Sequence, residues 1–251
     1  SPSIHNIFME FNNMEEEISK YNSKNSINFS RELIIENLSY KYSNDSKLIL
    51  NNISLKLKKG KTIGIVGASG SGKSTFVDIL NGLFNPTEGK IKADGFDIKK
   101  NIKSWQKKIG YVGQDIFLFD DTIKKNIAFG LAENMISDRK IKQVISDAQL
   151  DKFISSLKNG SDAVVGERGV MISGGERQRV GIARALYKDP DILIFDEATA
   201  SLDNQTEKEI MKSIYKLKQN KTIIIVAHRI STLSNCDEIY EIFDGNLIRQ
   251  N

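Results

Sequence analysis

The sequence predicts an α/β fold: a mostly parallel core sheet, an antiparallel β subdomain and an inserted α-helical subdomain. A glycine-rich loop at 67–75 lies between a short apolar run and a stretch with apolar residues at helical spacing, which is a strand–loop–helix unit. After residue 190, short apolar runs typical of buried strands alternate with a helical pattern, as in a parallel sheet covered on both faces. Between residues 122 and 157 the pattern is helical throughout, which indicates a helical insertion.

Residues 1–30 stand apart from this pattern. Their apolar residues recur at i, i+3, i+4 and i+7 spacing and predict an amphipathic helix: Ile4, Ile7, Phe8, Phe11, Met14, Ile18 and Tyr21. The polar stretch 22–30 is interpreted as a linker. Two interpretations of the helix stay open: it packs on its own domain, or it is the end of a helix that descends from a preceding domain.

The antiparallel part is expected between residues 31 and 93. Apolar residues alternate there with polar ones, as in half-buried strands: Leu33 and Ile35, then Ile53, Leu55 and Leu57, then Ile91 and Ala93. Tyr40 and Tyr42 are placed in the turn region between the first two of these strands.

The composition limits the classes of function. The 36 basic and 32 acidic residues leave a net charge of +4, which is too small and too scattered to indicate a nucleic-acid partner. Cys236 is the only cysteine, so no intrachain disulfide can form, and a reducing, cytosolic compartment fits. No apolar run approaches the ~18 residues of a membrane span. The first residue is Ser1 rather than Met, so we expect the chain to be part of a longer protein.

The glycine-rich loop matches the motif G-x-x-x-x-G-K-[ST] in full: Gly67-Ala68-Ser69-Gly70-Ser71-Gly72-Lys73-Ser74-Thr75. Glycines let the backbone curl so that several N–H groups face one anion, and the following helix directs its positive dipole end there. Lys73 can reach the outer phosphates of a nucleotide, and the Ser74 hydroxyl can ligate Mg²⁺. The alternative is a glycine-rich surface loop before an ordinary helix, which the flanking strand and helix disfavour.

A second glycine motif opens a helix at residues 173–176. Ser173 and Glu176 have the N-cap to N3 spacing of a capping box. Gly174 and Gly175 lower helix stability in the first turn, so we expect that another group approaches this backbone closely.

Polar residues also follow three predicted core strands, at the edge where open α/β sheets bind ligands. Asp196 is placed to hold Mg²⁺ through water, and Glu197, on the opposite side of the pleat, to orient or deprotonate a water molecule. Gln114 is placed to touch the metal, and His228 to donate to a γ-phosphate. Each residue alone has a simpler explanation, such as a capping acid, a solvated strand-end Gln or a structural His. Their strands, however, must be neighbours.

In this order, the motifs resemble the nucleotide-binding domain of an ATP-binding-cassette (ABC) transporter over about residues 31–250. The resemblance implies a P-loop NTPase (RecA-like) fold at 31–251, with a helical subdomain at about 115–172. In the family, the signature at 173–176 binds the γ-phosphate held by the partner subunit. A second copy of the domain is therefore expected, in a head-to-tail ATP-sandwich dimer. Tyr42 lies where the family stacks an aromatic ring on adenine.

The resemblance assigns roles to particular residues. ATP is expected to contact Tyr42, Gly67, Ser69, Gly70, Ser71, Gly72, Lys73, Ser74, Thr75, Gln114, Ser173, Gly175 and Glu176. Mg²⁺ is expected at Ser74, Gln114 and Asp196. Hydrolysis is expected to depend on Glu197, His228 and Lys73.

Further segments look like those of exporters. Residues 165–169 resemble an exporter segment, and 201–203 match the loop that links the two sites of the dimer. Residues 1–30 then look like the cytosolic end of the last membrane helix and its linker, which implies a transmembrane domain fused upstream, at the cytoplasmic face of the bacterial inner membrane. The run from Trp105 to Gly130 is similar to bacterial lipid-linked oligosaccharide flippases. Other lipids, peptides or drugs stay open as cargo.

Three positions depart from the family pattern: Ile172, Glu176 and Gly113 stand where Leu, Gln and often Pro are usual. Glu176 keeps the capping box but adds a negative charge near a phosphate. Gly113 should loosen the strand end before Gln114. The apolar run 116–119 is expected to be partly exposed, as a docking surface for the membrane part.

Two other classes of protein share part of this pattern. A soluble ABC ATPase that acts on ribosomes or DNA has the loop and the signature, but such proteins usually carry paired cassettes or long coiled coils. A P-loop kinase or GTPase would not explain residues 173–176, and the sequence lacks a guanine-reading motif. The prediction is therefore an exporter ATPase whose two copies ATP holds together and hydrolysis releases.

Overall fold

The computed structural model describes residues 26–43, 47–166, 172–200, 202–218 and 220–250. The amphipathic helix predicted before residue 22 lies outside these residues, as do Ser201 and most of the segment 165–169. Ten strands are present in the described part: β1 Glu32–Tyr40, β2 Leu50–Lys58, β3 Thr62–Val66, β4 Glu88–Ala93, β5 Phe96–Asp97, β6 Ile109–Val112, β7 Ile192–Asp196, β8 Thr222–Val226, β9 Glu238–Phe243 and β10 Asn246–Gln250.

The antiparallel sheet has the strand order β2-β1-β4-β5. Leu33 of β1 pairs with Leu57 of β2 on one side and with Ala93 of β4 on the other, and all three side chains are buried. Because residues directly opposite each other share a face, the alternating apolar residues form one buried face, as predicted. Tyr40 does not lie in a turn: it is the last residue of β1 and is buried, which corrects the sequence prediction.

The core sheet has the order β10-β9-β3-β8-β7-β6. Its strands pair in parallel from β9 to β6, and only β10 runs antiparallel to its neighbour. Every residue of β3 and β8 is buried, as expected of central strands in a sheet covered on both faces. The strands that precede Gly67, His228, Glu197 and Gln114 are therefore adjacent, which confirms the predicted neighbourhood.

Within the described ranges, seven α-helices connect the strands: α1 Lys73–Leu80, α2 Ile102–Gln106, α3 Ile123–Ile127, α4 Asp138–Asp147, α5 Asp151–Ser156, α6 Gly174–Tyr187 and α7 Asn204–Leu217. Helices α3, α4 and α5 lie between β6 and α6, where the sequence predicts helices without a strand. Phe129, which the helical pattern included, lies after α3 and has 47% of its surface exposed.

Residues of the core sheet alternate between two hydrophobic clusters. Leu193 and Phe195 of β7 belong to the cluster that contains residues of α3, α4, α6 and α7. Ile192 and Ile194 belong to the cluster formed with the antiparallel sheet and α1. The core sheet is thus covered on both faces, and its carboxyl edge stays accessible for polar groups.

The last residues of the predicted linker pack on the domain, which corrects the interpretation of residues 22–30 at its C-terminal end. Ile27 and Phe29 are almost fully buried in the cluster under the antiparallel sheet. The Ile27 N–H donates to Ser104 Oγ at 2.8 Å, and Lys59 Nζ donates to the Phe29 carbonyl at 2.9 Å. Two apolar residues spaced by two can extend a buried face, and here that pattern outweighs the polar composition around them.

Asp94 fastens the chain where it enters β1. Its carboxylate accepts the N–H and the hydroxyl of Ser30, both at 2.6 Å, and the N–H groups of Arg31 and Glu32, both at 2.9 Å. Burial raises the pKa of Asp94, but these hydrogen bonds outweigh it and hold the pKa well below its usual range. The carboxylate is therefore ionised and accepts all four bonds at neutral pH.

Candidate nucleotide-binding site

The glycine-rich loop joins β3 to α1 at the carboxyl edge of the core sheet. Gly72, the N-cap of α1, has φ of 105°. A Cβ atom there would lie 2.9 Å from Leu50 Cδ2 and 3.1 Å from the Ile49 carbonyl oxygen. Both the backbone conformation and the close packing thus require glycine. The result is a curled loop above a helix N-terminus, which is an arrangement that binds phosphate.

Lys73 lies across its own loop and is only 4% exposed. Its ammonium donates to the carbonyls of Gly67 and Ala68 at 3.0 and 3.1 Å, and lies 3.5 Å from Glu197 Oε1. The buried Ser71 hydroxyl has no hydrogen-bond partner among the described residues. A phosphate in this loop would offer oxygens to both groups, and Lys73 would exchange neutral carbonyl acceptors for charged ones.

Glu197 and His228 lie next to each other. Glu197 Oε2 is 2.8 Å from His228 Nε2, while Oε1 faces Lys73. The expectation that Glu197 lies on the opposite side of a pleat from Asp196 is wrong, because β7 ends at Asp196 and Glu197 has φ of +52°. That left-handed conformation costs ~1–2 kcal/mol in a non-glycine residue. Its N–H donates to the Val226 carbonyl at 3.0 Å, which helps hold the turn.

Asp196 provides the feature that tests a metal site. Asp196 Oδ2 accepts a hydrogen bond from the Tyr111 hydroxyl at 3.2 Å, but the buried Oδ1 atom has no partner among the described residues. Burial raises the pKa of both Asp196 and Tyr111. A hard cation prefers such an oxygen ligand, so the donor set fits Mg²⁺. Ser74, at the start of α1, and Gln114, just after β6, belong to the same sheet edge and stay predicted ligands.

Gln178 is a residue of this site that the sequence analysis missed. It lies in α6 and is 3% exposed. Its amide nitrogen donates to the carbonyls of Gly113 and Gln114, at 3.3 and 3.1 Å, and to that of Ala198. The side chain therefore links the signature helix to the loops that carry Gln114 and Glu197. The available signal was a polar residue on the apolar face of a helix, four residues before Ile182.

Tyr42 lies in an aromatic group beside α1. Its ring centroid is 5.2 Å from that of Tyr40 and 5.8 Å from that of Phe84, both edge to face. Its hydroxyl lies 2.9 Å from Thr75 Oγ1, while 59% of the residue surface is exposed. The ring is thus oriented by two aromatic contacts and one hydrogen bond, and it still offers surface to a planar ligand.

In the signature segment, residues 173–176, Ser173 and Glu176 form hydrogen bonds with each other. The Glu176 N–H donates to Ser173 Oγ at 3.3 Å, and Glu176 Oε2 accepts the Ser173 N–H at 2.9 Å and its hydroxyl at 2.7 Å. This is the predicted capping box at the start of α6. A Cβ atom on Gly175 would lie 2.6 Å from Thr206 Cγ2, so α7 approaches this backbone as closely as glycine allows. Ser173 and Gly174 are exposed.

Comparisons with known proteins agree with this geometry. Residues 50–200 match the family described as ABC transporter. The heterocyst differentiation ATP-binding protein HepA of Nostoc is 42% identical over 221 residues, which cover 88% of this chain and 36% of HepA. The ATP-dependent lipid A-core flippase of Idiomarina loihiensis is 39% identical over 220 residues, 87% of this chain and 38% of the flippase.

A solved structure of a bacterial Atm1-family ABC exporter with ATP bound superposes with a TM-score of 0.79 at 38% identity, over 90% of this chain and 40% of that one. The chain thus spans less than half the length of these relatives. Within its described part, none of the helices has the length and hydropathy needed to cross a bilayer. The chain belongs to the ABC transporter family and carries the ATP-binding, ATP-hydrolysing domain of that family.

Proposed function

We propose that this domain powers an exporter and that two copies work head to tail. The observation that carries the proposal is that one chain offers two unlike half-sites. The loop at 67–75 has one buried hydroxyl, that of Ser71, without a hydrogen-bond partner among the described residues, and the capped start of α6 presents Ser173 and Gly174 to solvent. The names of the relatives support export: among them are a lipid A-core flippase and an Atm1-family exporter.

ATP would bind with its phosphates in the loop and its adenine on Tyr42. The amides of residues 69–75 and the Lys73 ammonium would hold the phosphates, after Lys73 leaves the carbonyls of Gly67 and Ala68. Asp196, Ser74 and Gln114 would hold Mg²⁺, which neutralises charge on the β- and γ-phosphates when bound.

Glu197 would act as the general base for hydrolysis. It would take a proton from the water whose oxygen attacks the γ-phosphorus, while the bond to the leaving ADP oxygen breaks. His228 would donate to a γ-phosphate oxygen. The 2.8 Å contact between these residues supports the pairing, because it brings both side chains to one edge of the site.

The signature segment of the second copy would close the site over the γ-phosphate. The Ser173 hydroxyl and the first N–H groups of α6 can donate to an anion, and the helix dipole has the matching sign. The Ser173 hydroxyl has one proton and already donates it to Glu176, so it would have to turn from Glu176 toward the nucleotide to donate there.

A membrane-spanning part would contact the exposed aromatic patch formed by Phe117, Phe119 and Phe129. Phe117 and Phe119 are 54% and 44% exposed, which confirms that the run 116–119 is only partly buried. Phe119 stacks on Phe129 with centroids 4.8 Å apart. An exposed apolar group that follows Gln114 directly suits a docking surface. We place this contact at the cytoplasmic face of the bacterial inner membrane, with a lipid-linked oligosaccharide as the first cargo to test.

A complementation experiment tests the head-to-tail pair. Lys73→Ala removes the phosphate-binding charge but keeps the signature segment. Ser173→Asp keeps a good N-cap residue but places a carboxylate beside the γ-phosphate, and Ser173→Asn is its neutral control. Each disabled variant alone should release little phosphate. Their mixture should regain hydrolysis, because a mixed pair contains one intact loop facing one intact signature segment.

The proposal would be contradicted by a mixture that stays inactive although both variants fold and Ser173→Asp binds ATP. Phosphate release and a fluorescent-nucleotide titration measure the two quantities. Ser173→Asn should hydrolyse ATP much faster than Ser173→Asp, since the Asn and Asp side chains have nearly the same shape and differ in charge.

A further inference from the structure

The proposed catalytic residues Glu197 and His228 lie at the starts of two loops that leave adjacent strands. One loop runs from the end of β7 to α7, and the other follows β8. Beyond the contact between Glu197 and His228, Thr199 of the first loop and Thr232 of the second donate hydrogen bonds to one acceptor, Glu207. A single side chain thus joins the two loops a few residues beyond the catalytic pair.

Glu207 lies in the first turn of α7, and 17% of its side chain is exposed. Its Oε1 atom accepts from Thr232 Oγ1 at 2.9 Å and from Thr199 Oγ1 at 3.3 Å. The other oxygen lies 3.8 Å from Arg229 Nη1, and the Arg229 side chain is 68% exposed. An ion pair this long and this solvated contributes little, so the two hydroxyls are the main partners of the carboxylate.

A cavity of about 120 Å³ separates the two loops, and Glu197, His228, Thr199, Thr232 and Glu207 all line it. Side chains therefore leave part of the space between the loops unfilled. Glu197 also has φ of +52°, a conformation that persists only where its surroundings hold it. The two hydrogen bonds from Thr199 and Thr232 to Glu207, here called the hydroxyl bridge, span this space.

We propose that Glu207 is a positioning residue that sets the separation of Glu197 and His228 through its bonds to Thr199 and Thr232. It touches neither nucleotide nor water in this scheme and acts only through the two loops. The inference rests on the proposed catalytic roles of Glu197 and His228. Both hydroxyls donate to Oε1, so one acceptor oxygen is enough to join the two loops, and the negative charge of Glu207 is not required.

This oxygen makes a sharp test possible. Glu207→Gln keeps one acceptor oxygen, whereas Glu207→Ala removes both. We expect Glu207→Ala to lower kcat about ten-fold with an almost unchanged KM for ATP, because small displacements of catalytic groups slow chemistry more than they weaken binding. Glu207→Gln should hydrolyse ATP within about three-fold of the parent, since it keeps the bridge.

The valine variants test the same bridge without touching Glu207. Thr199→Val and Thr232→Val keep side-chain shape and remove only the hydroxyl groups. Combined, they should reproduce the kcat loss of Glu207→Ala, and adding Glu207→Ala to them should cause little further loss. Lys208→Ala, at an exposed neighbour on α7, serves as the matched control and should match the parent.

Phosphate release at several ATP concentrations gives kcat and KM, and thermal melting shows that each variant folds. A Glu207→Gln as slow as Glu207→Ala would overturn the inference, as would the valine pair hydrolysing ATP at the parent rate. If Glu207→Ala does not fold, the valine pair decides. If Glu197→Gln keeps the parent rate, the proposed function and this inference fail together. If Glu197→Gln is inactive and Glu207→Ala is normal, only this inference fails.

Discussion

The two halves of the proposed ATP site differ in how far one chain completes them. In the half built on the core sheet, Glu197 already contacts both Lys73 and His228, and Lys73 is almost fully buried. In the other half, Ser173 and Glu176 bond to each other. The half that would perform the chemistry is thus assembled in advance. The half that would recognise the γ-phosphate has Ser173 and Glu176 paired within one chain, and its Ser173 and Gly174 are exposed.

The largest effect is expected for Glu197→Gln, which should hold the two halves together in a stable ATP-bound dimer. Gln keeps the size of the side chain but cannot accept the proton of water, and loss of a general base costs ~10²–10⁴ in rate. It also removes a negative charge near the γ-phosphate. We expect a variant that binds ATP, hardly releases phosphate and accumulates as a dimer in size-exclusion chromatography with ATP and Mg²⁺.

The parent should be mostly monomeric under the same conditions, because hydrolysis keeps emptying the sites. Glu133→Gln, at an exposed acid, is the matched control and should behave like the parent. Hydrolysis near the parent rate in Glu197→Gln would show that another residue is the base. An inactive Glu197→Gln that stays monomeric at saturating ATP would remove the second half-site from the proposal.

An intermediate effect is expected at Tyr42. This residue sharpens the contrast because it tests ATP binding by the half built on the core sheet, separately from hydrolysis and from the second copy. Tyr42→Ala removes the ring that packs on Tyr40 and Phe84 and should weaken ATP binding roughly ten-fold, the equivalent of ~1 kcal/mol for an aromatic contact. Tyr42→Phe keeps the ring and loses only the hydrogen bond to Thr75, so it should bind almost as well as the parent. Equal affinities of the parent and the alanine variant in a fluorescent-nucleotide titration would refute the assignment.

The smallest effect is expected at Glu176, in the recognition half. Glu176→Gln can keep the capping box, since both residue types serve at N3, and it removes a negative charge beside the phosphate. We expect unchanged ATP binding by the monomer and a few-fold tighter ATP-dependent dimer. The same substitution makes the interaction of residue 176 with the helix dipole ~0.3–1 kcal/mol less favourable. Analytical ultracentrifugation in the Glu197→Gln background measures the dimer. A weaker dimer would mean that the carboxylate itself is needed at the interface.

The sequence predicted the features whose signal is local. The loop at 67–75 and the capping box at Ser173 are each written within a few residues, and the parallel pairing of the core strands follows from their alternation with helices. All three features are present in the structure as predicted.

Features that join distant residues could not be predicted in this way. The Gln178 amide meets Gln114 and Ala198 across 64 and 20 positions, and Glu207 meets Thr232 across 25. A single sequence carries no sign of such pairs. The left-handed conformation of Glu197 also escaped prediction, because the residue follows a regular strand and only tertiary contacts hold it there.

The way the chain enters the domain has a mechanical consequence. A pull from the N-terminal side would reach the buried side chains of Ile27 and Phe29 first and then the four hydrogen bonds to Asp94, one after another along the chain. The hydrogen bonds to Asp94 weaken in acid, as the pH falls through the lowered pKa of Asp94. Behind it stands β1, which is held by a neighbouring strand on each side. In the proposed exporter, tension in the segment before residue 26 would therefore reach the antiparallel sheet with little extension of the chain between them. The entering chain would transmit force between the membrane part and the ATPase domain.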